Sequence, residues 1–141
     1  MLTYSAQIDI SAPPEKIWNI LTDGVNYIEW DPGIMRLEGT IAPGEKITVY
    51  TKLSPDRAFP VTVSTFEPPH KMIWSSAMPL GLFKGERTFT LEALPNGGTK
   101  FATQEVFSGL LLPIIGRTIP DLTSTFAAFA KALKQRAETM G

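Results

Sequence analysis

The side chains with the clearest chemical potential in this 141-residue chain are Arg87 and Glu105, because a turn between them fixes where they stand. Pro95-Asn96-Gly97 has the residue order of a three-residue hairpin loop. Proline suits the first corner of a type I turn, asparagine the second, and glycine the left-handed position that follows. Such a loop pairs Leu94 with Gly98, and counting outward sets Phe89 opposite Thr103 and Arg87 opposite Glu105. The odd-numbered residues Phe89, Leu91, Phe101 and Phe107 share a face with both charged residues, and so apolar a face points inward. The register therefore predicts an ion pair in an apolar interior. That pair either fixes the polar group of an otherwise apolar ligand, or moves a proton, or is a structural pair at the rim of the sheet. Burial raises a carboxyl pKa and an adjacent arginine lowers it again. With the pair intact, Glu105 is expected to stay ionised, which suits anchoring better than acid catalysis.

The aromatic residues Trp74, Phe89, Phe101, Phe107, Phe126 and Phe129 are expected to be mostly core, with about two of them lining a cavity. Leu122 and Phe126 face the sheet centre and are better wall candidates than residues near Met140. Tyr27 and Trp30 offer a hydroxyl and an indole N–H, either to a ligand oxygen or to close the end of the core. His70 follows Pro68-Pro69 with no serine motif or carboxylate at catalytic spacing, and reads as a solvated turn residue. Gly97-Gly98-Thr99-Lys100 is no phosphate loop: it lacks the upstream glycine, reverses the Lys-Thr order and sits in a hairpin. The apolar run 109–116 is expected to be a cavity lid or a dimer contact. Its one adjacent cation, Arg117, is a poor flank for a membrane-touching lip.

Composition narrows the remaining classes. The length suits one domain, 1–141, with a sizeable core, and 43% hydrophobic against 19% charged residues is ordinary for a globular chain. A net charge of −1 gives no long-range attraction to nucleic acid. Zero cysteines exclude disulfides, thiol catalysis and cysteine-ligated zinc, and a single histidine leaves only carboxylates for a metal. No metal and no cofactor are expected. Neither a signal-peptide pattern nor an apolar run of the ~20 residues of a membrane helix is present, so no stable membrane insertion and a cytoplasmic location are expected.

The elements that must position these residues follow from periodicity. Residues 2–11 alternate as a half-buried strand. Pro13 and Pro14 pre-set a first helical turn, Glu15 favours its positive end, and Ile17, Trp18, Ile20 and Leu21 form its apolar side. A second short helix fits 25–30 before Asp31-Pro32-Gly33 turns the chain. Six strands follow at 34–41, 45–53, 58–67, 71–77, 83–94 and 99–107, with connections short enough for an antiparallel meander. Pro60 suggests that the third of these six is an edge strand or carries a bulge. From 111 to 140, Ile115, Ile119, Leu122, Phe126, Phe129, Leu133, Ala137 and Met140 mark one face of a long helix. Gly116 and Pro120 interrupt it, which predicts a kink or a short helix joined to a long one near Thr118, rather than two separate units.

That element order resembles the helix-grip fold of the START-like, SRPBCC superfamily: α+β, a seven-stranded curved antiparallel sheet wrapped around a long C-terminal helix, with two short helices after the first strand. Residues 26–32 (NYIEWDP), 71–74 (KMIW), 85–89 (GERTF), 96–101 (NGGTKF) and 105–111 (EVFSGLL) resemble its polyketide cyclase/dehydrase branch. The resemblance covers essentially the whole chain and brings no universal catalytic motif. It implies a cavity between sheet and helix for a small hydrophobic or amphipathic ligand. Tyr27, Trp30, Trp74, Arg87, Phe89, Glu105, Phe107, Leu122 and Phe126 are its candidate lining, and Arg87 and Glu105 its candidate catalytic groups. A non-catalytic binder or carrier is the leading expectation. The alternatives are a cyclase, aromatase or dehydratase, or an interaction module, such as a homodimer, with a vestigial cavity.

Overall fold

The computed structural model describes residues 1–140. Seven strands form one antiparallel sheet: β1 (Leu2–Ile10), β2 (Ile34–Glu38), β3 (Lys46–Thr51), β4 (Ala58–Glu67), β5 (Lys71–Ala77), β6 (Lys84–Ala93) and β7 (Thr99–Ser108). Their order, β1-β7-β6-β5-β4-β3-β2, is a six-strand meander onto whose last strand β1 pairs. Helices α1 (Pro14–Leu21) and α2 (Tyr27–Trp30) follow β1, and α3 (Leu112–Ile115) and α4 (Thr123–Thr139) follow β7. Helix α4 packs on β1 and β7, giving the helix-grip architecture.

The hairpin register is the one the turn residues predict. Leu94 N donates to Gly98 O at 2.9 Å, and Gly97 takes the left-handed conformation at φ 86. The ladder then sets Phe89 against Thr103 and Arg87 against Glu105. Strands β4 and β5 fall on the expected residues, whereas β2 stops at Glu38, where Gly39 turns away at φ 100. Of the two expectations for Pro60 the edge position fails, because β4 lies between β3 and β5, and the bulge is met by an irregularity in the same strand. The ladder to β5 covers only Thr62 to Glu67, with a register shift between Val63 and Thr65. Pro60 therefore stands in a stretch paired with β3 alone, opposite Thr48.

The C-terminal segment is the larger correction. Residues 111–140 do not form one helix. A 3-10 turn, Gly116–Thr118, continues α3, and Ile119 is then extended at ψ 120. Helix α4 begins only at Thr123, so the two helices are separate units. The cause is Pro120, which offers no N–H and pushes the residue before it out of helical space. The stripe that is fully buried is Phe126, Phe129, Ala130, Leu133 and Ala137, while Met140 is exposed.

The core lies between the sheet's inner face and the helices. Ile17, Trp18, Ile20 and Leu21 of α1 meet Met72, Leu91 and Phe101 from the sheet, with Phe129 and Leu133 from α4. Buried Thr99 donates its hydroxyl to Ala12 O at 2.7 Å, tying β7 to the start of α1. At the other end, the loop after β7 is fastened to the β5–β6 loop by Leu110 N to Gly81 O and Leu111 N to Leu82 O.

Candidate functional site

Register places one row of residues side by side across the inner face: Tyr4 on β1, Glu105 on β7, Arg87 on β6, Trp74 on β5 and Val63 on β4. An apolar row is thus interrupted by an arginine and a glutamate. Arg87 and Glu105 nevertheless make no ion pair within 4.0 Å, and the ion pair predicted from the register is corrected here. The side chains lean apart. Glu105 lies over Gly85, where an added Cβ would sit 3.6 Å from its Oε2 and 3.3 Å from the Phe107 ring, so glycine makes the room. Arg87 turns the other way and donates from Nε to Thr103 Oγ1 at 3.1 Å.

The guanidinium carbon of Arg87 sits 4.7 Å from the ring centre of Phe89 and 4.6 Å from those of Phe126 and Phe129. Three ring faces around one desolvated cation offset part of its burial cost. Its Nη2 is buried without a hydrogen-bond partner in the protein, and so is Nε1 of Trp74 on the adjacent strand. An unsatisfied buried donor costs roughly 1–3 kcal/mol, more for a charged group. Two of them at paired positions on one face are an exception to the rule that buried polar groups are bonded. Burial, opposed by the Arg87 charge, pushes the Glu105 carboxyl above its ordinary pKa. Asp31 is also raised, mainly by burial and against the hydrogen bond from Gly33 N and the charge of Arg87. Burial lowers the pKa of Arg87, against the pull of Glu105 and Asp31.

Toward α3 the row opens. Tyr4, Arg87, Glu105, Phe107 and Leu122 are only partly buried although they belong to the inner side. Phe107 meets Tyr4 edge-on at 6.5 Å and stacks on Phe83 at 5.9 Å, and Tyr4 lies 6.4 Å from Phe126. Tyr4 and Phe107 thus flank Glu105 and Arg87 with partly exposed aromatic surface. Away from the mouth the rings fill the space: Trp74 lies 4.8 Å from Phe89, and Phe129 lies 6.2 Å from Phe89 and 6.1 Å from Phe101.

Of the nine candidate lining residues, Trp74, Arg87 and Glu105 share the row and Phe89, Phe107 and Phe126 pack beside them, while Leu122 stands at the start of α4, one turn before Phe126. Tyr27 and Trp30 stand at the end of the same cluster, the Tyr27 ring 6.1 Å from Trp74 and the Trp30 ring 5.1 Å from Phe129. Tyr27 is fully buried, donates its hydroxyl to Leu21 O and packs on Trp30 at 4.8 Å, so it closes the end of the core. Burial raises its pKa far above the usual phenol value. Trp30 borders two surface clefts of about 240 and 250 Å³, shared with Arg136 between the α2 region and the end of α4. Sequence reasoning missed Asp31 and Thr103 as neighbours of Arg87. For Thr103 a signal existed, since it is a polar residue on a face predicted to point inward. Asp31 gave none beyond its turn, because only the tertiary fold brings it near β6.

A family model described as polyketide cyclase/dehydrase and lipid transport matches residues 1–138. The chain belongs to this family. No curated protein sequence matches it. Among solved structures, protein MLL2253 from Mesorhizobium loti superposes with a TM-score of 0.75 at 24% identity, over 99% of both chains. A START superfamily protein from Mycobacterium smegmatis gives 0.71 at 17% identity, over 99% of both. The Zhui aromatase/cyclase from Streptomyces sp. R1128 gives 0.72 at 12% identity, over 97% of this chain and 93% of that one. At these identities the likeness is one of fold. As a family member the chain is a ligand-binding domain, and no helix among its described residues is long and apolar enough to cross a membrane.

Proposed function

We propose that this domain binds a small amphipathic molecule as a non-catalytic binder or carrier. The polar end sits at Arg87 and the apolar body lies against Phe107, Tyr4 and Leu122. The observation that supports this reading is the pair of buried, unpartnered donors, Arg87 Nη2 and Trp74 Nε1, at paired positions on the aromatic inner face. A ligand oxygen would satisfy both, and the rings around them supply the apolar contact that gives such sites most of their affinity. Native mass spectrometry of freshly purified protein, with an apolar-probe titration on the same sample, tests it. A discrete bound mass lost on denaturation, or saturable probe binding, is expected. A clean protein mass together with no saturable binding would overturn the reading.

One observation favours a catalytic alternative of the cyclase or dehydratase type. A carboxyl pushed toward its neutral form beside a fixed cation is a proton donor, and Glu105 is so placed. Turnover of a polyketide-like substrate that is abolished in a folded Glu105→Gln variant would establish that role.

A further inference from the structure

We infer that the polar end of the ligand is a single carboxylate, held by Arg87 Nη2 from β6 and Trp74 Nε1 from β5. This rests on the carrier reading and goes further in fixing the charge of the head group. Four observations carry it. The guanidinium donates to Thr103 and lies against three rings, which hold it on the inner face away from bulk water. It has no carboxylate within 4.0 Å among the described residues, because Glu105 leans over Gly85 and Asp31 Oδ1 accepts from Gly33 N at 2.9 Å. A permanently charged group in that position gains far more from an anionic oxygen than from a neutral one. The second donor, Trp74 Nε1, comes from the paired position on the next strand. Two donors from two strands match the two oxygens of a carboxylate in number, whereas a phosphate dianion would bring more charge and more acceptors than two donors can satisfy.

Matched probes separate this inference from the reading beneath it. Decanoic acid is compared with 1-decanol, and 2-naphthoic acid with 2-naphthalenemethanol, by calorimetry at pH 7.5 on the whole chain. Each acid is expected to bind at least about tenfold more tightly than its alcohol. In Arg87→Met, which keeps the length of the stem, the preference is expected to shrink to within about threefold while the alcohols still bind. Trp74→Phe, which removes only the N–H donor end of the ring system, is expected to narrow the preference in part. Thermal melting of each variant reports whether the fold is kept, and the wild-type comparison needs no variant at all. Equal affinity for acid and alcohol in the wild type would mean that water fills the two donors; that result overturns the carboxylate and leaves the carrier reading standing. Binding of neither series would overturn both.

Discussion

Glu105 and Arg87 are directly opposed on neighbouring strands and yet do not touch, and the stability of the protein should register the difference. A contact ion pair would hold Glu105 ionised and depress its pKa. Burial that outweighs the opposing Arg87 charge does the reverse, so the folded protein keeps a proton that the unfolded chain releases at ordinary carboxylate pH. The stability linked to this group is therefore fully present below the ordinary carboxyl value of 4.5 and is lost as pH rises through the raised folded pKa. Glutamine has the same shape without the ionisation. Glu105→Gln is expected to melt at or above the wild-type temperature at pH 7, with the gap closing toward pH 4. A variant clearly less stable than wild type at pH 7 would mean that the carboxylate is paired after all. The sequence made the positions of both residues legible through a turn and a count. It did not show which way their side chains lean, because that depends on Gly85 leaving space on one side and three rings enclosing Arg87 on the other.

The long elements were readable where local chemistry agrees with tertiary packing. Asn96 and Gly97 define the β6–β7 hairpin by their own conformational preferences, so its register needed no knowledge of the rest of the molecule. The C-terminal segment shows the opposite case. Its apolar residues keep helical spacing through Pro120, which suggested continuity, but a missing N–H and a steric clash outweigh periodicity. The break puts Leu122 just before α4 and leaves α3 as a separate short element joined to the loops. Pro120→Ala restores the donor and frees Ile119 to adopt helical angles. The variant is expected to gain at least about one turn of helix, roughly 3.6 residues, seen as a more negative circular dichroism signal at 222 nm. An unchanged signal would show that packing, not proline, holds the break, and would contradict the cause assigned to it.

At the scale of the whole molecule, aromatic rings from the sheet and from α4 meet one another in the core. Trp74, Phe89, Phe101 and Phe129 are buried in this cluster, and Tyr4, Arg87, Phe107 and Leu122 remain partly exposed. The fold came through in the order of elements, and the site did so only in part, since the turn count places Arg87 and Glu105 on one face but does not show that Tyr27, from the helix region after β1, packs against Trp74. The surface clefts beside Trp30 offer a competing place for a ligand, and the three tryptophans tell the two places apart. In a nitrogen–proton correlation spectrum, Trp18, Trp30 and Trp74 each give one indole signal, assigned by substituting each tryptophan with phenylalanine in turn. Titration with decanoic acid is predicted to shift the Trp74 indole signal most, with saturation, as its N–H acquires an acceptor. A saturating shift at Trp30 with Trp74 unmoved would place the ligand outside the sheet and contradict the account.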